Sequence, residues 1–239
     1  MALYTIADLH LSSVTNKPMG IFGARWTDHT EKLITRWNAL VTPEDTVVIP
    51  GDVSWGMTLA ETAEDFRIID SLPGQKIIGK GNHDYWWTTV AKMKKFLADI
   101  GVTTVDFLFN NAFLQPDCVV CGSRGWYIEE KLQATPDPTD YEKIVNRECM
   151  RLEASLVQGE SLRGEQELPL VAFLHFPPVF GDFVCQPLID VMKKYGVKQC
   201  YYGHIHGNYY VPHTMEYEGV NLSLISADYL NFTPQRVFI

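Results

Sequence analysis

The stretch "QKIIGKGNHD", residues 75–84, combines an apolar run with a polar ending, and this combination recurs along the chain. Its apolar part is typical of a buried strand, and it ends in Asn82, His83 and Asp84. "LYTIADLH" (3–10) likewise ends in Asp8 and His10, and "DTVVIPGD" (45–52) ends in Asp52. Ligands of open α/β sheets bind beyond the carboxyl ends of the strands. We therefore expect these side chains to meet at one sheet edge.

Two later stretches extend this pattern. "LPLVAFLH" (168–175) ends in His175, and "YYGHIHG" (201–207) carries His204 and His206. Residues two apart in an extended chain point to the same side, so both imidazoles can reach one ion or a close pair of ions. Of the seven histidines in the chain, only His29 and His213 lie away from these strand ends. This clustering favours one joint site over separate polar residues at loop mouths.

The residue types define the chemistry of such a site. Carboxylates, imidazoles and one amide oxygen suit Mn, Fe or Zn, and thiolates are absent from the set. A close pair of such metals needs a shared anionic ligand, and Asp52 is the natural bridge. "CVVC" (118–121) has zinc-knuckle spacing, but no second cysteine pair completes it, so two packed thiols in a strand are the favoured interpretation. The odd count of five cysteines indicates reduced thiols in a cytosolic protein.

Strand, loop and helix alternate along the 239 residues, with β-rich stretches in the middle and in the tail. Apolar periodicity predicts helices over 28–41, 58–70, 88–101, about 139–157 and 186–196. The tail, 208–239, alternates like antiparallel strands. The pattern predicts an α/β fold in which two packed sheets are flanked by helices. No linker or repeat interrupts the chain, so residues 1–239 are expected to form one domain.

The net charge and the N-terminal sequence argue against nucleic-acid and membrane partners. With 20 basic and 29 acidic residues, the net charge of −9 argues against stable nucleic-acid binding through phosphate neutralisation. The opening "MALYTIADLHLSS" lacks a basic segment, and no apolar run approaches the length of a membrane span. We expect a cytoplasmic protein without membrane contact; the sequence does not define its oligomeric state.

The motif order D-x-H, GD, GNHD, H and GHxH resembles the calcineurin-like metallophosphoesterase family over residues 8–206. The resemblance implies a four-layer α/β/β/α sandwich with a dinuclear metal site. By this resemblance the first metal is held by Asp8, His10 and His206 and the second by Asn82, His175 and His204, with Asp52 bridging them.

The same resemblance implies hydrolysis of a small phosphomonoester or phosphodiester. A hydroxide on the two divalent metals, with Mn favoured over Fe or Zn, would attack phosphorus. His83 would act beside the leaving group as proton donor or charge stabiliser, and Asp84 would steady it.

Departures from the family pattern distinguish this chain from two well-known groups of phosphatases. Protein serine/threonine phosphatases continue GD-x-V-D-R-G, whereas this chain has "GDVSWG" (51–56), without the phosphate-gripping arginine. Purple acid phosphatases place a tyrosine where this chain has Trp55. Two alternatives stay open: a nuclease of the same superfamily, which the acidic composition disfavours, and a non-catalytic scaffold, which the complete ligand set disfavours.

Substrate choice is predicted to depend on residues around the strand ends. The loop 12–27 is long enough to fold over them. Arg25 and Arg124 are candidates for binding phosphate, and Trp26 and Trp126 for binding a flat group; the alternative is that the arginines are solvated and the tryptophans belong to the core. Trp86 and Trp87 either wall the pocket or pack beneath it. An aromatic pocket suits a nucleotide-like or aryl phosphoester.

Overall fold

The first of two large sheets is mostly parallel. The computed structural model describes residues 1–15, 17–127 and 138–239, without the side chains of 138 and 139. The strands of this sheet are β1 Leu3–Thr5, β2 Thr46–Ile49, β3 Gln75–Ile78, β4 Val105–Phe107 and β13 Gln235–Arg236. Their order is β13-β1-β2-β3-β4, and only β13 runs antiparallel to its neighbour.

The second sheet has a parallel centre and antiparallel edges. Its strands are β5 Phe113–Leu114, β6 Val119–Ser123, β7 Leu170–Leu174, β10 Gln199–Tyr202, β11 Thr214–Tyr217 and β12 Val220–Leu224. The order is β11-β12-β10-β7-β6-β5, with β5 and β11 antiparallel to their neighbours. A separate hairpin is formed by β8 Val179–Phe180 and β9 Phe183–Val184.

Helices cover the outer faces of both sheets. On the first sheet lie α1 His29–Leu40, α2 Ala63–Ser71 and α3 Val90–Asp99, and on the second lie α4 Pro138–Arg163 and α5 Gln186–Lys194. Helix α1 shows why: its buried Leu33 and Trp37 lie one turn apart and form one apolar stripe. Short 3₁₀ helices span Met19–Phe22, Ala24–Trp26 and Leu59–Thr62.

The two sheets pack face to face through a shared apolar layer. Val48 of β2 and Ile77 of β3 belong to the same buried cluster as Val120, Val171 and Phe173 of the second sheet. Side chains alternate along a strand, so Val47 and Ile49 point the other way, toward the helices. Strands buried on both faces carry continuous apolar runs, which explains the uniform hydrophobicity of these stretches. The layers are therefore helix, sheet, sheet and helix, and the predicted fold class is confirmed.

The structure corrects two details of the sequence interpretation. In the tail, β12 pairs parallel to β10, so this segment is not purely antiparallel. Helix α4 ends at Arg163, beyond the predicted end near 157.

The cysteine pair of "CVVC" faces two different layers. Cys118 belongs to the cluster between the sheets, and Cys121 belongs to the cluster under α4 and α5. Because the two thiols point to opposite faces, they cannot hold one zinc ion, and the packed-thiol interpretation fits. In the part of the chain that the structure describes, no helix is both long and apolar enough to span a bilayer.

Candidate metal centre

The parallel strands deliver polar side chains to a single edge. Asp8 and His10 follow β1, Asp52 follows β2, Asn82 and His83 follow β3, His175 follows β7, and His204 and His206 follow β10. Asp8, His10, Asp52 and His204 all have left-handed backbone, with φ of +61°, +47°, +53° and +69°. This conformation is costly for residues other than glycine and is concentrated at functional sites.

Asp8, His10 and His206 form a first group of potential ligands. The Nε2 atoms of His10 and His206 lie 3.3 Å apart, and His206 Nε2 lies 3.7 Å from Asp8 Oδ1. The ligand atoms of the three residues all lie within 4.8 Å of one another, so they could hold one metal ion.

Asn82, His175 and His204 form a second group. Asn82 Oδ1 lies 2.6 Å from His175 Nε2 and 3.0 Å from His204 Nδ1. The other ring nitrogen of His175 lies 3.2 Å from the carbonyl oxygen of Pro50. That carbonyl accepts a hydrogen bond from Nδ1–H, which leaves Nε2 without hydrogen, as a metal ligand must be.

Asp52 lies between the two groups. Its Oδ2 is 3.6 Å from His10 Nε2 of the first group and 3.6 Å from His175 Nε2 of the second. Its Oδ1 accepts a hydrogen bond from the backbone N–H of His83, at 2.8 Å. One oxygen therefore fixes the carboxylate to the protein, while the other faces both groups.

Burial shifts the ionisation of the centre strongly. Desolvation raises the pKa of Asp8 to about 6 and that of Asp52 well above its ordinary value. Desolvation also lowers the pKa of His10 and His175 well below the ordinary value and that of His204 to about 3. The imidazoles are therefore neutral at pH 7, which is the form that binds metals.

The residues present fit divalent metal ions. Asp8 Oδ1 and Asp52 Oδ2 are buried and accept no hydrogen bond from any described residue. Burying carboxylate oxygen in this way is costly unless a cation compensates the charge. Oxygen and imidazole nitrogen donors without thiolate match a Mn, Fe or Zn site.

A family model described as calcineurin-like phosphoesterase matches residues 1–208. The chain belongs to this family. The match includes every strand that carries a ligand of the two groups. The predicted family membership is confirmed.

Comparison with individual proteins gives no information on function. No curated protein matches this calcineurin-like phosphoesterase. A structure of a protein of unknown function from Aquifex aeolicus is 15% identical, with a TM-score of 0.49, over 98% of this chain and 95% of that chain. A second solved structure is 11% identical, with a TM-score of 0.55, over 92% of this chain and 88% of the other.

The structure of this calcineurin-like phosphoesterase adds Asp228, a buried residue that the sequence interpretation missed. Asp228 follows β12, and its Oδ1 accepts a hydrogen bond from His206 Nδ1 at 2.8 Å. Its Oδ2 accepts from the backbone N–H of Gly207 and from the hydroxyl of Tyr209, each at 3.0 Å. Burial opposes ionisation, but the hydrogen bonds, with that from His206 foremost, hold the pKa of Asp228 below its ordinary value. The carboxylate fixes the tautomer that presents His206 Nε2 to the centre.

Asp84 has a different partner from the one predicted. Its carboxylate accepts backbone N–H groups of Gly81, Asp52 and Val53, at 2.7, 2.9 and 2.9 Å. No hydrogen bond joins it to the imidazole of His83, whose Nδ1 is buried without a partner among the described residues. Asp84 therefore fastens the loops after β2 and β3 to each other instead of steadying the His83 ring.

Glycines let these loops approach closely. A Cβ atom on Gly81 would collide with Asp52 Oδ1, and one on Gly203 would collide with Asp8 Oδ2. Both positions therefore require glycine for steric reasons.

His83 lies at the mouth of the centre beside an aromatic wall. Its ring centroid is 4.5 Å from that of Trp55, which stacks on His10 at 4.9 Å. Burial, and then the charge of Lys17, lowers the pKa of His83 to about 4. The Nζ atom of Lys17 lies 3.3 Å from the Trp55 ring, so the loop 12–27 reaches this wall. Asn16 of that loop lies outside the described residues.

The predicted substrate-binding arginines have different surroundings. Arg25 donates to the backbone carbonyls of Asp228 and Tyr229, at 2.9 and 3.2 Å, which secures the segment that carries Asp228. Its role in substrate binding stays a prediction. Arg124 instead lines a cavity, and Trp87 lines it too.

The remaining tryptophans differ in burial. Trp26 and Trp86 are each 3% exposed and belong to the core. Trp26 packs edge-on against the rings of His10 and His206 and so helps to hold both imidazoles in position. Trp126 is half-buried and packs near Phe176.

Proposed function

We propose that the chain is a hydrolase that cleaves a small phosphomonoester or phosphodiester with two divalent metal ions. Asp8, His10 and His206 would hold one ion and Asn82, His175 and His204 the other, with Asp52 shared. Among Mn, Fe and Zn, we favour Mn. Family membership supports a metal-dependent phosphoesterase, and the convergence of the two ligand groups supports the finer assignment.

One observation carries the proposal. The unpaired oxygen Oδ2 of Asp52 lies at the same distance, 3.6 Å, from a ring nitrogen of each group. A carboxylate shared between two cations lowers their mutual repulsion, so this position suits a dinuclear site. When bound, the metals would supply a water that ionises near neutral pH and would offset charge on the phosphoryl oxygens.

Protein groups would then position the substrate and manage protons. His83 is half-buried, and its low pKa of about 4 makes it neutral at pH 7 in the absence of a bound anion. A phosphoester beside it would favour protonation, so His83 could donate a proton or a hydrogen bond to the leaving oxygen. Trp55 packs against one side of the His83 ring and limits its movement.

Hydrolysis of p-nitrophenyl phosphate and bis-p-nitrophenyl phosphate by metal-stripped protein with added Mn²⁺ tests the proposal. We expect Mn²⁺-dependent release of nitrophenol, with a preference for one ester that defines the substrate class. Asp52→Asn should abolish turnover, whereas Asp99→Asn on the exposed face of α3 should not change it. Absence of hydrolysis of both esters, or an Asp52→Asn variant as active as the parent, would contradict the proposal. The first result would favour the scaffold alternative.

A further inference from the structure

A cavity of about 290 Å³ is lined in part by residues that neighbour metal-centre ligands in the chain or in space. We call it the cationic cavity, after the charges that line it. Its lining comprises Lys80, Trp87, Leu108, Phe109, Asn110, Ser123, Arg124, Arg147, Glu148 and Arg151.

The charges in the cationic cavity are unbalanced. Four cations, Lys80, Arg124, Arg147 and Arg151, face one carboxylate, Glu148, among the described residues of the lining. This excess of positive charge stands out in a chain whose net charge is −9. An enclosed concentration of one sign of charge attracts a ligand of the opposite sign.

Glu148 neutralises only part of this charge. Its side chain is fully buried, and its Oε1 accepts from Arg151 at 2.6 Å and lies 3.8 Å from an Arg124 nitrogen. Arg124 Nε is buried and donates to no described residue. In the described part of the chain, the side chains of Lys80 and Arg147 form neither a hydrogen bond nor an ion pair. Several N–H donors are thus available to an anion.

The cavity lies on the side of the second ligand group. Lys80 precedes Asn82 by two residues, and the carbonyl of Arg124 accepts the backbone N–H of His175 at 3.1 Å. The guanidinium of Arg124 lies 5.7 Å from the ring of Phe176, whose centroid is 4.6 Å from that of His204. One substrate molecule could therefore occupy both the centre and the cavity.

We propose that the cationic cavity binds a second phosphate group of the substrate, separate from the one that is hydrolysed. This inference rests on the proposed function and deepens it. The substrate class is then a phosphoester that carries two phosphate groups. Arginine recognises phosphate oxygens through paired N–H donors, and lysine adds a point charge. Trp87 and Phe109, whose ring centroids are 5.9 Å apart, provide apolar surface for the group between the phosphates.

Binding of inorganic phosphate to metal-stripped protein at neutral pH tests the cavity without turnover. Stripping the metals removes the cations that would attract phosphate to the centre, so saturable binding that depends on Arg147 reports on the cavity. We expect Arg147→Met to raise the Kd for phosphate about tenfold, as loss of a charged donor would. The matched control Arg67→Met removes an exposed arginine on α2 and should leave the Kd within about twofold. Circular dichroism verifies that both variants fold.

Turnover of a bisphosphate and of its two matched monophosphates with Mn²⁺ then separates this inference from the proposed function. We expect kcat/KM for a nucleoside 3′,5′-bisphosphate to exceed that for the matched monophosphates about tenfold, with the advantage reduced in Arg147→Met and retained in Arg67→Met. If the esters are hydrolysed but the second phosphate gives no advantage and Arg147→Met binds phosphate like wild type, the cavity assignment is wrong and the proposed function stands. If phosphate binding depends on Arg147 but no ester is hydrolysed, the anion site stands and the proposed function fails.

Discussion

Replacement of Asp228 by asparagine tests whether this residue controls the ligand His206. The carboxylate accepts hydrogen bonds on both oxygens: His206 Nδ1 donates to Oδ1, while the Gly207 N–H and the Tyr209 hydroxyl donate to Oδ2. Asparagine has the same shape but offers one accepting oxygen and one donating amide group. In either orientation, therefore, one N–H donor faces another donor.

The two orientations have different consequences. If the amide oxygen faces His206, the Gly207 N–H is left unpaired, at a cost of about 1–3 kcal/mol. If the amide group faces His206, Nδ1 must accept its hydrogen bond, so the ring hydrogen moves to Nε2 and blocks the nitrogen that faces Asp8 and His10. Since about 1.4 kcal/mol corresponds to a factor of ten, we expect Mn²⁺ binding to weaken about 10- to 100-fold.

Calorimetric titration of Mn²⁺ into metal-stripped protein measures this effect. The control Tyr209→Phe removes one hydrogen bond to Oδ2 but keeps the carboxylate and its bond to His206. We expect that variant to bind Mn²⁺ within about threefold of wild type, because the hydrogen bond that fixes the His206 tautomer, from Nδ1 to Asp228 Oδ1, stays in place. An Asp228→Asn variant with wild-type Mn²⁺ affinity would refute the reasoning.

Three further predictions concern sterics, pH and thiols. Gly81→Ala should displace the Asp52 carboxylate, because the added Cβ collides with Oδ1. Mn²⁺ binding should then weaken by at least about tenfold in the same titration. Unchanged binding would show that the loop can move to accommodate the added Cβ. Because burial raises the pKa of Asp8 to about 6, metal must displace a proton below that pH. Mn²⁺ affinity should therefore fall as the pH drops through 6, all the more because burial also raises the pKa of Asp52, and a profile flat from pH 8 to pH 5 would contradict this. Desolvation raises the pKa of Cys118 and Cys121 to about 12, so a disulfide reagent at pH 8 should modify both slowly in the folded protein and rapidly in guanidinium.

The ligand-bearing strands could be predicted from the sequence because two local signals coincide there. Each is an apolar run, and each ends in carboxylate, amide or imidazole side chains. Parallel pairing brings these ends to one edge, so β1, β2 and β3 deliver Asp8, Asp52 and Asn82 together. The separation of the ligands into two groups required the family resemblance, since spacing along the chain does not define which side chains meet.

Asp228 was not predicted as a site residue because the pairing of β12, the strand that precedes it, was not foreseen. Read as part of an antiparallel tail, the end of β12 would lie at the opposite edge of the sheet. The strand in fact runs parallel to β10, so its carboxyl end lies beside His206. The signal was present, since "VNLSLISAD" (220–228) is another apolar run that ends in a carboxylate.

The role of Asp84 also depended on tertiary structure. Its place next to His83 in the sequence indicated a contact with that ring. The turn instead points the carboxylate at the backbone N–H groups of Gly81, Asp52 and Val53, which would otherwise be buried without acceptors. The cationic cavity was equally hidden, because Lys80, Arg124 and Arg147 come from three separate elements.

The most direct test of the central claim is an anomalous-scattering experiment on crystals of the Mn²⁺-loaded protein. We expect two peaks about 3.5–4 Å apart, one on each side of Asp52 Oδ2. One should contact Asp8, His10 and His206, and the other Asn82, His175 and His204. A single peak, or peaks away from Asp52, would contradict the shared-carboxylate centre.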